Sequence, residues 1–373
     1  MKRCWFHTLL FLLGIIGFPA CEVHSPEATG AREVALNELK MTEGAQACVA
    51  SEDFLVLDLP YGVALGKIDK VLVDGKRIYV GDYLTQRVFA FGADGKLEAV
   101  LDRRGRGPGE YLQMQGFSVG GGRIYVLDQF ESTVLAYDAA SLEFRGAEKA
   151  PAPAWDFAAL RDGGFLFAYA PMEGTPVRDP SLQYRVIVTD SKMHIRERHF
   201  PYEKDEADAI TVQQYLSECG DAVLYGSFRQ DGYCRFDRQD GSLLERVDFQ
   251  FARPVPSGDK ASLPAIMEGK YTWQTRVPYL GKGYCALSLS VEGMGQTCVY
   301  DIHKGQLLCQ QKGTMSHALL GIVGSDGSRL IGSWQDKSIY EFLTRSGFKR
   351  AAPAAEAAIL DDKPFLVFYQ MNK

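Results

Sequence analysis

Two stretches of this chain decide its fold: RIYVGDYLTQRVFAFGADGKL at residues 77–97 and RIYVLDQFESTVLAYDAASL at residues 123–142. Each contains two apolar segments rich in Val, Ile, Tyr and Phe, which is the local signature of β-strands. The two stretches are offset by 46 residues. A repeat of that length built from strands is typical of the blades of a β-propeller.

The same two-strand unit can be followed six times along the chain. The residues that end its second strand are spaced by 46, 51, 48, 64 and 42 positions. Unequal spacings are expected where connecting loops absorb insertions. These anchor residues are Phe91, Tyr137, Val188, Phe236, Tyr300 and Phe342, and the partner strands begin at Ile78, Ile124, Phe165, Ala222, Tyr284 and Arg329.

The sequence therefore predicts an all-β, six-bladed β-propeller, with seven blades less favoured and a β-sandwich as the alternative architecture. Two further apolar strands remain near the ends of the chain, DFLVLDL at residues 53–59 and KPFLVFYQM at residues 363–371. Because an open sheet edge invites aggregation, we expect one or both to complete the last blade and close the ring. PAAEAAIL at residues 353–360 is the one modest helical candidate of the mature chain.

Residues 1–20 have the composition of an export signal: a basic start, the short apolar run LLFLLGIIGF, and Ala20 before Cys21. We expect a lipoprotein signal peptide, with Cys21 as the lipidated residue. The alternative is a plain cleaved signal with an incidental cysteine. Residues 21–50 are predicted to be a flexible tether, and residues 51–373 the propeller domain.

Charge and cysteine content narrow the choice of compartment and partner. The net charge of −6 falls to −8 without Lys2 and Arg3, which argues against a nucleic-acid surface. Cys285 and Cys298 lie on the two arms of one predicted hairpin and are candidates for a disulfide. Buried free thiols are the equal alternative. The other cysteines of the mature domain are Cys48, Cys219, Cys234 and Cys309.

The motif RRGRGPGEY, from Arg103 to Tyr111, is the most conspicuous candidate binding loop. It lacks the spacing of a phosphate-binding loop. Its glycines and proline favour a structural turn in which Glu110 accepts hydrogen bonds from loop amides. In the binding interpretation, Arg103, Arg104, Arg106, Glu110 and Tyr111 contact a ligand at the rim.

This loop, following the strand pair at residues 77–97, resembles the TolB-like six-bladed β-propeller lipoproteins of Bacteroidetes. The resemblance covers roughly residues 50–373 and includes the closing strand PFLVFYQMNK. It implies a propeller fold and a lipid-anchored position in the cell envelope. It implies no catalytic residue, because no activity is assigned to that group.

Other candidate residues carry weaker signals. Asp82 and Asp128 occupy the same position in two blades and could line a central funnel that binds a divalent cation. Turn-capping aspartates are the favoured alternative. His194 and His199 are five residues apart on a predicted strand, so a metal pair there is disfavoured. Trp155, Trp273 and Trp334 could mark a sugar- or peptide-binding face, although core packing is favoured.

Strong repeats without a convergent catalytic set favour a non-enzymatic binding or scaffold module. The expected partner is a protein, peptide or glycan, with no nucleic acid, no predicted cofactor and membrane contact through the lipid anchor only. The alternative is a propeller hydrolase or lyase with a metal in the funnel, and a purely structural envelope role is a third possibility. We expect function where the repeat breaks: at Arg103–Tyr111, in the third-blade insert PMEGTPVRDPSLQ, and between Phe251 and Tyr279.

Overall fold

A computed structural model describes the greater part of the chain. The predicted signal peptide, Cys21 and part of the third-blade insert lie outside the described residues. The described residues are 32–36, 41–171, 179–203, 206–309, 319, 321–334 and 336–372.

The described chain is a ring of six antiparallel blades, which confirms the predicted fold class. Three strands precede the first blade along the chain. They are β1 (Arg32–Leu36), β2 (Met41–Glu43) and β3 (Val49–Val56). The strands of the first two blades are β4 (Lys70–Asp74), β5 (Arg77–Asp82), β6 (Arg87–Gly92) and β7 (Leu97–Leu101), then β8 (Met114–Gly120), β9 (Arg123–Asp128), β10 (Thr133–Asp138) and β11 (Phe144–Lys149).

The next two blades follow the same four-stranded meander, with the first strand of each innermost. Blade three contains β12 (Asp156–Ala159), β13 (Phe165–Ala168), β14 (Tyr184–Thr189) and β15 (Ile195–Pro201). Blade four contains β16 (Leu216–Cys219), β17 (Ala222–Tyr225), β18 (Gly232–Asp237) and β19 (Leu243–Phe249).

The fifth blade has a divided inner strand, because both of its inner segments pair with one long second strand. A short helix, α1 (Leu263–Glu268), precedes it. Its strands are β20 (Thr272–Gln274), β21 (Tyr279–Gly281), β22 (Tyr284–Val291), β23 (Met294–Asp301) and β24 (Gln306–Cys309). Blade six begins with β25 (Ile322–Ser325) and β26 (Arg329–Ser333), continues through helices α2 (Lys337–Arg345) and α3 (Pro353–Leu360), and returns as β27 (Phe365–Met371).

Both terminal strands close the ring, as predicted. Strand β27 pairs with β26 on one side and with the N-terminal β3 on the other, so blade six is built from both ends of the chain. The Phe54 ring of β3 contacts the rings of Trp334, Tyr340, Phe348 and Phe365. This aromatic cluster fixes the seam by burying apolar surface contributed from both termini.

The sixth predicted anchor was wrong. Phe342 lies in helix α2 rather than at the end of a strand, and β27 takes the place expected for that strand. The sequence KSIYEFLTR buries Tyr340 and Leu343, three positions apart, which fits one face of a helix. Asp336 caps the first turn by accepting a hydrogen bond from the Ser338 amide at 2.8 Å. The predicted helix at residues 353–360 is confirmed as α3.

The predicted tether is too long at its C-terminal end. Within residues 21–50, strand β1 adds to blade four in parallel with β19, and β2 adds to blade five in parallel with β24. Strand β3 begins at Val49, before the predicted boundary. Neither β1 nor β2 repeats the strand motif of the blades, so the repeat pattern does not predict them.

The predicted disulfide was also wrong in one partner. Cys298 bonds to Cys309, its direct neighbour on β24, with 4.2 Å between their Cα atoms. On the other side of β23 the residue opposite Cys298 is Leu287, and Cys285 stands opposite Tyr300. Two residues out of register is too far for a disulfide, so Cys285 remains a buried free thiol.

Adjacent blades pack face to face, and the clearest close approach is at Gly81. A Cβ atom at this position would lie 2.4 Å from the Phe117 ring of the next blade. The repeat has Leu127 at the equivalent position of blade two. Glycine is therefore required in the first blade so that the buried Phe117 can pack against its sheet.

The two ends of the blades differ in their connections. At one end the strands of the ring are joined by turns of at most five residues, such as 75–76, 121–122 and 139–143; we call this the short-turn face. The longer connections of the described chain lie at the other end, which we call the long-connection face. Its connections include residues 57–69, 102–113, 202–215, 250–271 and 334–364.

Candidate functional site

The Arg103–Tyr111 loop is docked between blades one and two. The buried Tyr111 donates its hydroxyl hydrogen bond to the Gln86 carbonyl of blade one at 2.6 Å. The Gly109 carbonyl accepts a hydrogen bond from the Tyr137 hydroxyl of blade two at 2.9 Å. Burial raises the pKa of Tyr111 to about 12, so its phenol stays protonated as a donor. Tyr111 therefore links two blades and is not available to a ligand.

The remaining residues of this loop divide between structure and surface. The Glu110 carboxylate accepts a hydrogen bond from the Gly107 amide at 2.7 Å, as the structural interpretation predicts. Arg103, Arg104 and Arg106 are exposed. The three guanidinium groups and the exposed Glu110 carboxylate are placed where a partner could reach them.

Asp82 and Asp128 are turn-capping residues. The Asp82 carboxylate accepts hydrogen bonds from the Gly66 amide at 2.7 Å and the Thr85 amide at 3.0 Å. Asp128 repeats this arrangement with the amides of Leu112, at 2.8 Å, and Phe130, at 3.0 Å. Both side chains are buried in the connections rather than exposed on the channel wall, so the candidate funnel role was wrong.

A buried ionic network occupies the centre of the ring. Lys70 of the first blade contacts the Glu218 carboxylate of the fourth blade at 3.1 Å. The same carboxylate accepts hydrogen bonds from the Ser118 hydroxyl at 2.9 Å and from Arg238 at 2.7 Å. Nearby Asp156 is also buried, and burial raises its pKa despite the opposing field of Lys70. These contacts join blades one, two and four across the axis.

A cavity of about 1260 Å³ opens at the short-turn face. All six inner hairpin turns line it, and so does Arg32 at the start of β1. Its charged side chains largely neutralise one another. The pairs are Arg161–Asp221 at 2.6 Å, Arg329–Asp326 at 2.8 Å and Arg235–Glu245 at 3.3 Å. These ion pairs reduce the net charge that the cavity presents to solvent.

A smaller cavity of about 240 Å³ opens at the centre of the long-connection face. Among its lining residues are Lys67, Asp69, Gln214, Arg276 and two tyrosines, Tyr83 and Tyr279. The Tyr279 hydroxyl donates to Gln214 Oε1 at 3.2 Å. The Tyr83 hydroxyl is buried without a hydrogen-bond partner among the described residues, and burial raises its pKa well above the usual value.

A second cavity of about 300 Å³ adjoins the first and shares Lys67 and Ile68 with it. Its apolar wall comes from the 57–69 connection, helix α3 and the start of β27. The lining residues include Leu59, Leu65, Trp334, Ile359 and Phe365, with Lys337, Asp362 and Lys363 among the charged ones. The Trp334 Nε1 group is buried without a partner in the described part of the chain. We call the 240 Å³ cavity at the channel mouth the central cavity, the 300 Å³ cavity the blade-six cavity, and the two together the mouth cleft.

Large exposed apolar side chains concentrate on the long-connection face. Of the eleven in the described chain, only Phe144 and Ile302 lie at the short-turn face. The other nine lie in or beside the connections at the opposite end: Tyr61, Leu84, Phe130, Leu263, Met267, Met294, Ile339, Phe342 and Leu360. Contiguous exposed apolar patches are typical of surfaces that contact another molecule.

The Phe251–Tyr279 stretch packs against blade four at the long-connection face. Phe228, Val255 and Ile266 make a small apolar cluster, against which Trp273 packs. Below it, Asp208 is paired with Arg185 and Arg229 at 2.8 Å each. Lys260 approaches Asp231 at 3.7 Å, and burial raises the pKa of Asp231 to about 6.

The remaining candidates of the sequence do not form a site. Trp155 and Trp273 are half-buried against apolar clusters, and Trp334 is 2% exposed in the core while also lining the 300 Å³ cavity, so the three do not form an exposed aromatic face. His194 is exposed beside Asp190, whereas His199 is buried beside Glu197. Within the described ranges, no three His, Cys, Asp or Glu side chains gather as a metal-binding group.

Sequence reasoning missed the mouth cleft altogether. Its residues come from seven separate segments, and none belongs to a motif with fixed spacing. Tyr83 directly follows the repeated Asp82, but its equivalent in the second blade is Gln129, so the repeat gave no signal. The long insertions themselves were the available clue, since the predicted break from Phe251 to Tyr279 supplies Arg276 and Tyr279.

Six sheets round a channel with a seam closed from both termini define this protein as a six-bladed β-propeller. Its sequence matches the model of the family DUF5128, described as a 6-bladed beta-propeller, over residues 29–263, and the chain belongs to that family. No curated protein sequence matches it significantly.

One solved structure supports the fold, and a second aligns more weakly. An inferred exported protein from Bacteroides fragilis aligns with a TM-score of 0.71 at 15% identity, covering 91% of this chain and 100% of that one. A member of the DUF4221 family from Bacteroides vulgatus aligns at 10% identity with a TM-score of 0.47, covering 90% of this chain and 99% of that one. None of the described helices has the length and apolar character needed to cross a bilayer.

Proposed function

We propose that this protein is a lipid-anchored propeller of the cell envelope, of the TolB-like kind, that acts as a non-enzymatic binding or scaffold module. Its long-connection face engages a protein, peptide or glycan. The observation that carries the proposal is the concentration of nine exposed apolar side chains on that face. A rigid ring that presents variable connections on one side is a common arrangement for binding sites.

The position of the N-terminus supports an orientation for this module. Arg32, the first described residue, lines the cavity of the short-turn face. Ten residues separate it from Cys21, and an extended chain of that length spans at most about 35 Å. A lipid on Cys21 would therefore keep the short-turn face towards the membrane and direct the long-connection face away from it. The similar fold of the exported Bacteroides fragilis protein is consistent with this location.

Capture from solubilised envelopes tests the binding role. The full chain is immobilised, and bound proteins and glycans are quantified for wild type, for Leu84→Ser with Phe130→Ser, and for Ile302→Ser. We expect the double variant to lose a component that wild type and Ile302→Ser both retain. Equal recovery by all three proteins would contradict the assignment of the binding face.

The anchor is tested separately. Cys21→Ser should remove incorporation of labelled palmitate and shift the protein from the membrane fraction to the soluble fraction, because one residue carries the lipid. Membrane retention of Cys21→Ser without labelling would exclude lipid anchoring and leave the binding proposal standing.

A further inference from the structure

We propose that the mouth cleft binds an extended acidic peptide segment, with an apolar side chain in the blade-six cavity and a carboxylate at the channel mouth. This inference rests on the proposed binding function and names its ligand and site. Four independent features of the cleft carry it: buried donors without partners, net charge, shape and the apolar border.

Each cavity of the cleft is lined by a residue whose buried donor has no partner in the described chain. These are the Tyr83 hydroxyl in the central cavity and Trp334 Nε1 in the blade-six cavity. The Gln214 amide influences the pKa of Tyr83 but does not meet hydrogen-bond geometry with its hydroxyl. An indole N–H can only donate, so the missing partner at Trp334 is an acceptor such as a carbonyl or carboxylate oxygen.

The charge of the cleft is opposite to that of the protein. Four basic residues line it, Lys67, Arg276, Lys337 and Lys363, against the acidic Asp69 and Asp362. The whole chain has a net charge of −6. Lys67 pairs with Asp69 and Lys337 pairs with Asp362 at 2.6 Å each, and Lys363 pairs with Asp58 at 2.7 Å. Arg276 is exposed and forms no ion pair among the described residues, so its guanidinium favours a carboxylate-bearing ligand.

The shape of the cleft suits a peptide that places an apolar side chain in one cavity and polar atoms in the other. Its two cavities measure about 240 and 300 Å³, each large enough for one side chain, and they join at Lys67 and Ile68. The blade-six cavity is walled by Leu59, Leu65 and Phe365. An extended segment crossing the junction would place an apolar group in this cavity and polar atoms towards the channel mouth.

An apolar border surrounds the cleft and extends the contact surface. Tyr61, Leu84, Ile339 and Leu360 are exposed, and each lies within two residues of a residue that lines the cleft. The described tryptophans are buried or half-buried, so the exposed aromatic platform typical of glycan binding is not available from them. These features favour a peptide over a sugar.

A displayed library of random twelve-residue peptides tests the proposal with the full chain as bait. The cleft variant is Lys67→Glu with Arg276→Glu. Its matched control is Arg145→Glu with Lys304→Glu, which makes the same charge change with exposed side chains at the short-turn face. We expect wild type to enrich peptides that combine Asp or Glu with Leu or Phe. Fluorescence anisotropy should then show binding at least about tenfold weaker for the cleft variant and within about twofold for the control.

Tyr83→Phe gives an independent readout. Removing a buried hydroxyl without a partner should leave the melting temperature unchanged or raised, while affinity for the enriched peptide falls about three- to tenfold.

Enrichment of basic peptides, or of acidic peptides that bind the cleft variant normally, would overturn the proposal. If the enriched peptides bind the cleft variant normally but lose binding to Leu84→Ser with Phe130→Ser, the assignment of the cleft as the binding site is wrong, whereas the assignment of the binding face stands. If no peptide is enriched, the peptide assignment is overturned, and envelope capture still tests the wider function.

Discussion

At the scale of single residues, Glu218 holds the centre of the ring. Its carboxylate is fully buried and receives Lys70, Ser118 and Arg238 from three blades. A buried carboxylate with this many partners is stable only while the partners remain. The residue was invisible in the sequence, where SEC at residues 217–219 lies in an unremarkable strand, because the partners are 20 to 148 positions away.

We expect Glu218→Gln to lower the free energy of unfolding by about 3–5 kcal/mol, because it removes the carboxylate that directly contacts the buried Lys70. Urea denaturation of the purified chain measures the change. Adding Lys70→Met to the same variant should recover part of the loss. A double variant no more stable than Glu218→Gln would show that the ion pair is not the source of the effect.

Asp231 gives a prediction about pH. Burial raises its pKa from 3.8 to about 6 in the folded chain, against the attraction of Lys260. Between about pH 4 and 6 the folded state keeps a proton that the unfolded chain has lost, so this group makes stability fall as pH rises. Above pH 6 the penalty is constant.

Asp231→Asn should therefore stabilise the protein by about 1–3 kcal/mol at pH 7.5 and by almost nothing at pH 4. Thermal unfolding across this range measures the difference between the two proteins. A gain that is the same at both pH values would contradict the raised pKa.

At the scale of elements, the second and third strands of blades one to five were predictable, because their alternating apolar residues and Gly-containing turns repeat. The inner strands were missed, since segments such as LSEC in β16 are only four residues long and wholly buried. Helix α2 was mistaken for a strand because the apolar residues of IYEFL fit the periodicity of a strand as well as that of a helix. Only the burial of Tyr340 and Leu343 in the structure distinguishes a helix from a strand here.

The Cys298–Cys309 disulfide joins β23 to β24 at the edge of blade five. We expect Cys298→Ser with Cys309→Ser to lower the free energy of unfolding by about 2–3 kcal/mol, because the crosslink restrains the unfolded chain. Cys285→Ala is the control and should leave the bridge intact. Non-reducing digestion and mass spectrometry should recover Cys298 linked to Cys309, and a peptide linking Cys285 to Cys298 would contradict this pairing.

At the scale of the whole molecule, the ring depends on its N-terminal strand. The closure was predictable from the two unassigned apolar strands, whereas the additions of β1 and β2 were not, because parallel pairing at a blade edge leaves no repeat in the sequence. Deletion of residues 22–56 removes β3 and should abolish cooperative thermal unfolding, since the seam cluster around Phe54 is lost.

Deletion of residues 22–36 is the matched control for this experiment. It removes only β1, which adds to the outside of blade four, and should keep a cooperative transition. Circular dichroism melts of both proteins measure the outcome. A cooperative transition in the longer deletion would show that the seam is not required for closure.

The mouth cleft also belongs to this scale, because it exists only once distant connections meet at one face. Tyr83, Arg276 and Trp334 are separated by 58 to 251 positions, so no local pattern could have linked them. Fold and closure were therefore accessible from periodicity, while the site required the assembled ring.

The most direct test of the two-faced ring is photo-crosslinking in living cells with a reactive amino acid at single positions. Tyr61, Leu84 and Phe130 report on the long-connection face, and Ile302 and Lys304 report on the short-turn face. We predict discrete crosslinked products from the first three positions and none of the same mass from the other two. Products confined to Ile302 and Lys304 would contradict the central claim that the long-connection face binds the partner.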